Sequence, residues 1–338
     1  MVVAHHAPQY LTGRVTYNFG DYPHGAVGVD IFFIISGFVM YQATSARHVS
    51  AASFLKARLI RIVPMYWLCT SVLAGLVIFI PGLFNTFLVS PAAAVKSLFF
   101  LPVYNQLGFF RPVLAQGWTL QYEMLFYLAT SAALLFWRSH ASLYSALAIF
   151  TTALLVGLTG TDLHFSPLQI FAPVSCEFIG GVLLGHVFTH QATVTWRQHV
   201  AAPSVGLVAI VMGYAAISQM EPSPLDAMRP IYWGGGALLI VAGFLLMERQ
   251  IAKLHAHVKQ LHILGDSSYA LYLIHGLAFS LVSKLVPLPA LGIGPIALTF
   301  LILGALVFGV LLHKLVEQPI NRKIKALLLP ARTKTAIG

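Results

Sequence analysis

The chain has 338 residues, 58% of them hydrophobic and only 9% charged, with a formal net charge of +10 and a mean hydropathy of +0.81. Soluble globular domains carry about 25% charged residues, so a water-facing fold is excluded. The positive balance is not a nucleic-acid footprint either, because no zinc-finger, helicase or phosphate-loop motif accompanies it.

Met1 to Ala4 is too short an apolar stretch for a cleavable signal. Nine later runs approach the roughly 20 apolar residues that a helix needs to cross the hydrocarbon core. They fall near 25–46, 62–83, 117–137, 142–159, 167–188, 201–218, 231–248, 264–286 and 294–314. The segment 95–105, VKSLFFLPVYN, is too short to cross and is expected at an interface or as a re-entrant piece. From Glu317 the chain turns basic and polar. The expected class is therefore an all-α, polytopic helical bundle of nine full spans plus a partial first helix, with a membrane domain at 1–316 and a basic tail at 317–338. Cys69 and Cys176 both lie in apolar runs and imply no disulfide framework.

Lys and Arg set the orientation. Fifteen of the twenty fall on one side if the loop 47–61, the ends near Arg138 and Arg197, the loop 249–263 and the tail share it. Arg14, Lys96, Arg111, Arg229 and Lys284 form the other side. This split predicts a cytoplasmic tail and an outside start. Met1–His6 then reads as the outer end of a helix whose inner part would precede Met1.

Ionisable groups inside spans mark functional sites by default. Asp30 and Glu123 each sit five or six residues into a span from its outer end, roughly 8–9 Å deep, and His5 and His6 end the partial helix on that side. Three kinds of acid/base group thus share one depth. Asp30 equally suits a helix cap or a polar pair. Glu123 stands in GWTLQYEMLFY among Trp118, Gln121, Tyr122 and Tyr127, a polar and aromatic face suited to a water-filled cavity. Glu177, in SCEFIGG, lies nearer the middle, where an interhelical hydrogen bond competes with catalysis. Gly181 and Gly185 have the spacing of close helix contact. His186 and His190 are four apart without a third ligand, so no metal is expected. Arg58 and Arg61 are three apart on one helix face just before a span. Such a pair holds a phosphate in a bidentate grip, or simply anchors the helix at anionic lipid heads.

Five segments in order, GVDIFFIISGFVM, FLKARLIRIVPMYW, GWTLQYEMLFY, LGDSSYALYLIH and LVEQPINR, resemble the membrane-bound acyltransferase 3 family over nearly the whole chain. GWTLQYEMLFY is close to the branch acting in exopolysaccharide production and O-antigen acetylation. The resemblance implies about ten spans, and O-acyl transfer from cytoplasmic acetyl-CoA, without a metal, to a hydroxyl of a cell-surface or exported polysaccharide or lipid-linked glycan. It also implies an inner-membrane location and contact with the polysaccharide assembly machinery. The family's first helix carries an arginine, ten intervening residues and a catalytic histidine. VVAHHA matches its end, with His6 as the histidine, and the arginine would fall before Met1. Arg58 and Arg61 match the family's arginine pair and would hold CoA phosphates. Glu123 or Asp30 would support His6, with Trp118 or Tyr122 as oxyanion donors. The rival reading is a polytopic transporter or flippase of a glycan or lipid-linked substrate, which also carries intramembrane carboxylates. No repeat relates the two halves of the chain.

Overall fold

A bilayer leaves backbone N–H and C=O groups no water to bind, so a chain this apolar must satisfy them within helices. The computed structural model describes residues 1–11, 23–45, 49–80, 90–137, 140–190, 203–219, 223–248, 251, 260–285 and 294–328. Among them no strand forms, and the one pairing of extended chain is an isolated antiparallel bridge between Tyr104 and Phe110. The helices are α1 (Val2–Leu11), α2 (Gly28–Ser45), α3 (Ala51–Phe79), α4 (Pro91–Leu98), α5 (Trp118–Phe136), α6 (Ala141–Leu158) and α7 (Glu177–His190). They continue with α8 (Pro203–Ile217), α9 (Gly235–Leu246), α10 (Gln260–Asp266), α11 (Ser268–Leu285), α12 (Gly294–Leu312) and α13 (Gln318–Leu328).

Among the described residues, five helical stretches are long and apolar enough to cross a membrane: His24–Ser45, Ala51–Phe79, Ala141–Leu158, Pro167–Thr189 and Pro295–Leu328. Shorter apolar helices occupy Ser204–Ile217, Pro230–Leu246 and Ser268–Val282. The protein is a multi-pass helical membrane bundle. α5 fills the remaining expected run, but Gln121, Glu123, Thr130 and Ser131 are buried in it, against neighbouring helices rather than lipid.

Two boundaries differ from expectation. The basic segment before residue 62 is not a loop. Ser50 caps α3, its hydroxyl accepting from the Ser53 amide at 3.2 Å, and the helix runs unbroken through Lys56, Arg58, Arg61 and Pro64 to Phe79. Leu, Ala, Lys and Arg are all strong helix formers, so nothing local stops the first turns. The polar tail begins as helix too, since α12 continues through residues 313–317 into α13. The basic residues Arg14, Arg47, Arg138, Arg197, Arg249, Lys253, Lys259, Arg332 and Lys334 lie outside the described residues.

Glycines set the closest crossings. A Cβ on Gly181 of α7 would stand 2.0 Å from the Ile34 carbonyl oxygen of α2, and one on Gly37 would stand 2.2 Å from the Phe178 carbonyl oxygen. The expected small-residue contact is thus real, and it fixes α2 against α7. We predict that Gly181→Ala, whose methyl meets rigid backbone rather than a side chain, destabilises the bundle by about 1–3 kcal/mol. Thermal unfolding in detergent checks this; an unshifted midpoint would show that the crossing is loose. α8 and α9 use the same device through Gly206, Gly213, Gly236 and Gly243.

Candidate active site

Among the described residues, two of the bundle's cavities hold the expected site groups. The first, about 510 Å³, is lined by His5, His6, Gln9 and Tyr10 of α1, by Arg111, Gln116, Trp118 and Tyr122, and by Arg229, Trp233 and Tyr272. The second, about 330 Å³, is lined by Phe32, Ser36 and Met40 of α2, Arg58 and Arg61 of α3, Glu123 and Tyr127 of α5, and Tyr269 and Tyr272 of α11. Val2, Val29 and Tyr272 belong to both walls. They form the partition between a histidine chamber and an arginine chamber.

In the histidine chamber, Nδ1 of His6 lies 3.3 Å from Gln9 Oε1. An amide oxygen only accepts, which puts the ring hydrogen on Nδ1 and leaves Nε2 as the basic nitrogen. Trp118 lines this chamber and meets Tyr122 edge-on, with centroids 5.9 Å apart. The Tyr122 hydroxyl donates to the Gln169 carbonyl oxygen at 2.9 Å. Its hydrogen is therefore committed away from any oxyanion, and Trp118 is the better placed of the two expected donors.

The three carboxylates separate. Asp30 is fully buried and takes a two-pronged grip from Arg229, Nε to Oδ1 at 2.9 Å and Nη2 to Oδ2 at 2.7 Å. Glu177 Oε1 stands 3.8 Å from the same Nε. The Arg229 guanidinium also lies 4.9 Å from the centre of the Trp233 ring. Asp30 and Glu177 are thus joined through one arginine in the wall of the histidine chamber. Removing one partner from such a buried pair is strongly destabilising, so a positioning role suits this cluster. Arg229 was legible only as an outside charge beside a span; nothing in the sequence tied it to Asp30, 199 residues away.

Glu123 faces the other chamber. Its Oε1 accepts hydrogen bonds from Ser36 Oγ at 2.8 Å and Tyr127 Oη at 2.8 Å. Arg58 and Arg61 share that chamber, with Arg58 half-buried and Arg61 exposed. The Arg58 guanidinium lies 5.5 Å from the Phe54 ring centre, and among the described residues its buried Nε donates to no protein group. Of the expected His6, Asp30 and Glu123 grouping, the fold keeps His6 and the Arg229 partner of Asp30 around one cavity and sets Glu123 in the cavity that the arginines line. His186 of the adjacent histidine pair bonds the Tyr41 hydroxyl at 2.9 Å.

The described residues thus form a multi-pass apolar helical bundle with a histidine in one cavity wall and an arginine pair in the next. A family model for an acyltransferase domain matches residues 1–314, and the chain belongs to that family of acyltransferases. The chain is 33% identical to the exopolysaccharide production protein ExoZ of Rhizobium meliloti (strain 1021) over 308 residues, covering 89% of this chain and 91% of the relative. It is 26% identical to nodulation protein 10 of Rhizobium leguminosarum bv. viciae over 278 residues, covering 75% of this chain and 72% of the relative. No solved structure matches. The family resemblance read from the five sequence segments therefore holds.

Proposed function

We propose that this protein moves an acyl group, acetyl in the first instance, from a cytoplasmic acyl-CoA to a hydroxyl of an exported or cell-surface polysaccharide or its lipid-linked precursor. The reading rests above all on the shared partition: a basic imidazole on one side, two guanidiniums on the other, and only Val2, Val29 and Tyr272 common to both walls. The ExoZ relative supplies the exopolysaccharide context. All nine apolar runs are taken to cross the inner membrane, and the Lys and Arg split supports a cytoplasmic tail.

Arg58 and Arg61 grip CoA phosphates at the cytoplasmic end, and the uncharged pantetheine arm reaches inward. This division keeps phosphate charge out of hydrocarbon, where it is costly. Glu123 is the counter-charge that organises the arginine chamber in the absence of donor. The acceptor hydroxyl enters the histidine chamber and loses its proton to His6 Nε2 as its oxygen attacks the thioester carbon. The C–S bond breaks, and the thiolate leaves with the proton returned from His6. Trp118 is offered to the oxyanion. Membrane lipid and the polysaccharide assembly machinery are the expected partners.

Reconstituted protein supplied with acetyl-CoA and glycan should release free CoA thiol only when the glycan is present. A flippase releases none, so acceptor-independent silence in this assay would end the acyl-transfer reading.

A further inference from the structure

α11 brings a second imidazole to the histidine chamber. His275 is fully buried. Its Nδ1 lies 2.8 Å from the Tyr272 carbonyl oxygen and 3.3 Å from that of Leu271. Carbonyl oxygens only accept, so the ring hydrogen sits on Nδ1 and Nε2 can act only as an acceptor. Among the described residues no group donates to that nitrogen. A buried acceptor without a donor is unfavourable, and an apolar side chain of similar size would avoid the penalty.

What lies against this ring is His6. The two imidazoles stack with centroids 5.4 Å apart and planes inclined by 22°. Phe279 meets His275 edge-on at 5.8 Å. The next residue, Gly276, lets α11 close on the chamber floor: a Cβ there would stand 2.5 Å from Gln116 Nε2. His275 is therefore held in one place and one tautomer beside the base.

The two rings complement each other during proton transfer. At rest His6 has its hydrogen on Nδ1, directed to Gln9, and its Nε2 is free to take a proton. Once Nε2 is protonated, the His6 ring gains a donor that Gln9 does not satisfy. We propose that His275 is a positioning residue for this step, its Nε2 accepting a hydrogen bond from the protonated His6 ring. The stacked rings of the resting state do not make this bond; His6 has to turn about its Cβ–Cγ bond, a torsion with a broad energy profile, and give up Gln9 to form it. The proton leaves the acceptor O–H bond, resides on His6, and passes to sulfur as the C–S bond breaks. His275 neither gains nor loses one. The proposal rests on His6 being the base.

Three variants in the reconstituted protein test it. His275→Phe keeps a flat ring and deletes the acceptor. His275→Met deletes it with a more adaptable shape, and His275→Gln restores an acceptor oxygen near the place of Nε2. We expect the Phe and Met proteins to lose at least about tenfold in kcat, the scale set by partners that orient a first-contact group. KM for acetyl-CoA should be unchanged, and Gln should recover most of the rate. Parental kcat in a folded Phe or Met protein, or equal losses in Phe, Met and Gln, overturns the proposal. So does failure of both Phe and Met to fold, which would make the residue structural. His6→Ala run alongside separates the two ideas. If it transfers normally, the base assignment is wrong; if it is inactive while His275→Phe is unimpaired, only the role of His275 falls.

Discussion

The His6→Ala protein is expected to transfer acetyl groups at least about 100-fold more slowly than the parent, the lower end of what a placed general base contributes. The loss should appear in kcat, because the proposed mechanism sets His6 at the acceptor hydroxyl and not at the CoA phosphates. The variant should still fold. α1 is held by Ala7 and Leu11, which are buried against Phe279, Ala297 and Leu301, and an alanine at position 6 disturbs none of these. His5 supplies an internal control. It also lines the chamber, but it projects about 100° around the helix from His6. His5→Ala should keep most of the activity. Rates measured in membranes at matched expression decide the matter: full activity in His6→Ala removes it from the mechanism, and a loss confined to His5→Ala moves the role by one residue.

Replacing Arg58 or Arg61 by Met is expected to raise KM for acetyl-CoA by roughly 10-fold to 100-fold each, since a hydrogen bond to a charged group contributes about 1.5–3 kcal/mol. Arg58→Lys and Arg61→Lys should recover only part of this. Lysine restores the charge but not the planar fork that matches two phosphate oxygens. Raised salt should weaken the parent's donor affinity as well, and the double Met variant should be nearly insensitive to it. Donor titrations by thiol release give KM directly. An unchanged KM in both Met variants would mean that the arginines anchor the helix and leave the donor to other groups.

Bilayer physics made the helical class legible from composition, and the resemblance carried the family. The arrangement of the site was less accessible. Asp30 and Glu123 sit at similar depth in their spans, which suggested one shared acid cluster. Depth along the membrane normal is fixed by position in a span, whereas rotation about each helix axis is fixed by packing that sequence spacing does not reveal. The Gly37 and Gly181 crossing holds α2 close to α7, with Asp30 bonded to Arg229 and Ser36, six residues on, bonded to Glu123. Two acids expected at similar depth therefore part company, Asp30 held by an arginine of one cavity wall and Glu123 lining the other cavity. His275 closes the resemblance segment LGDSSYALYLIH, but a lone histidine in an apolar span carries no periodic signature, and its approach to His6 appears only in the fold. The density of charge in FLKARLIR hides how early α3 begins, although its Leu, Lys, Ala and Arg residues are good helix formers.

The wall of Val2, Val29 and Tyr272 has a consequence for the cell's energy supply. An enzyme that opens water-filled vestibules toward both faces of a membrane risks becoming a leak for ions, and each unit charge that crosses dissipates about 2.3 kcal/mol per 100 mV of potential. The two valines offer a passing ion no ligand in place of its hydration shell, and the Tyr272 hydroxyl already donates to the Gln116 carbonyl oxygen at 3.1 Å. A neutral acyl thioester meets no such electrostatic barrier. On the proposed mechanism, the three residues shared by both cavity walls would also keep the proton-motive force from draining through the catalyst.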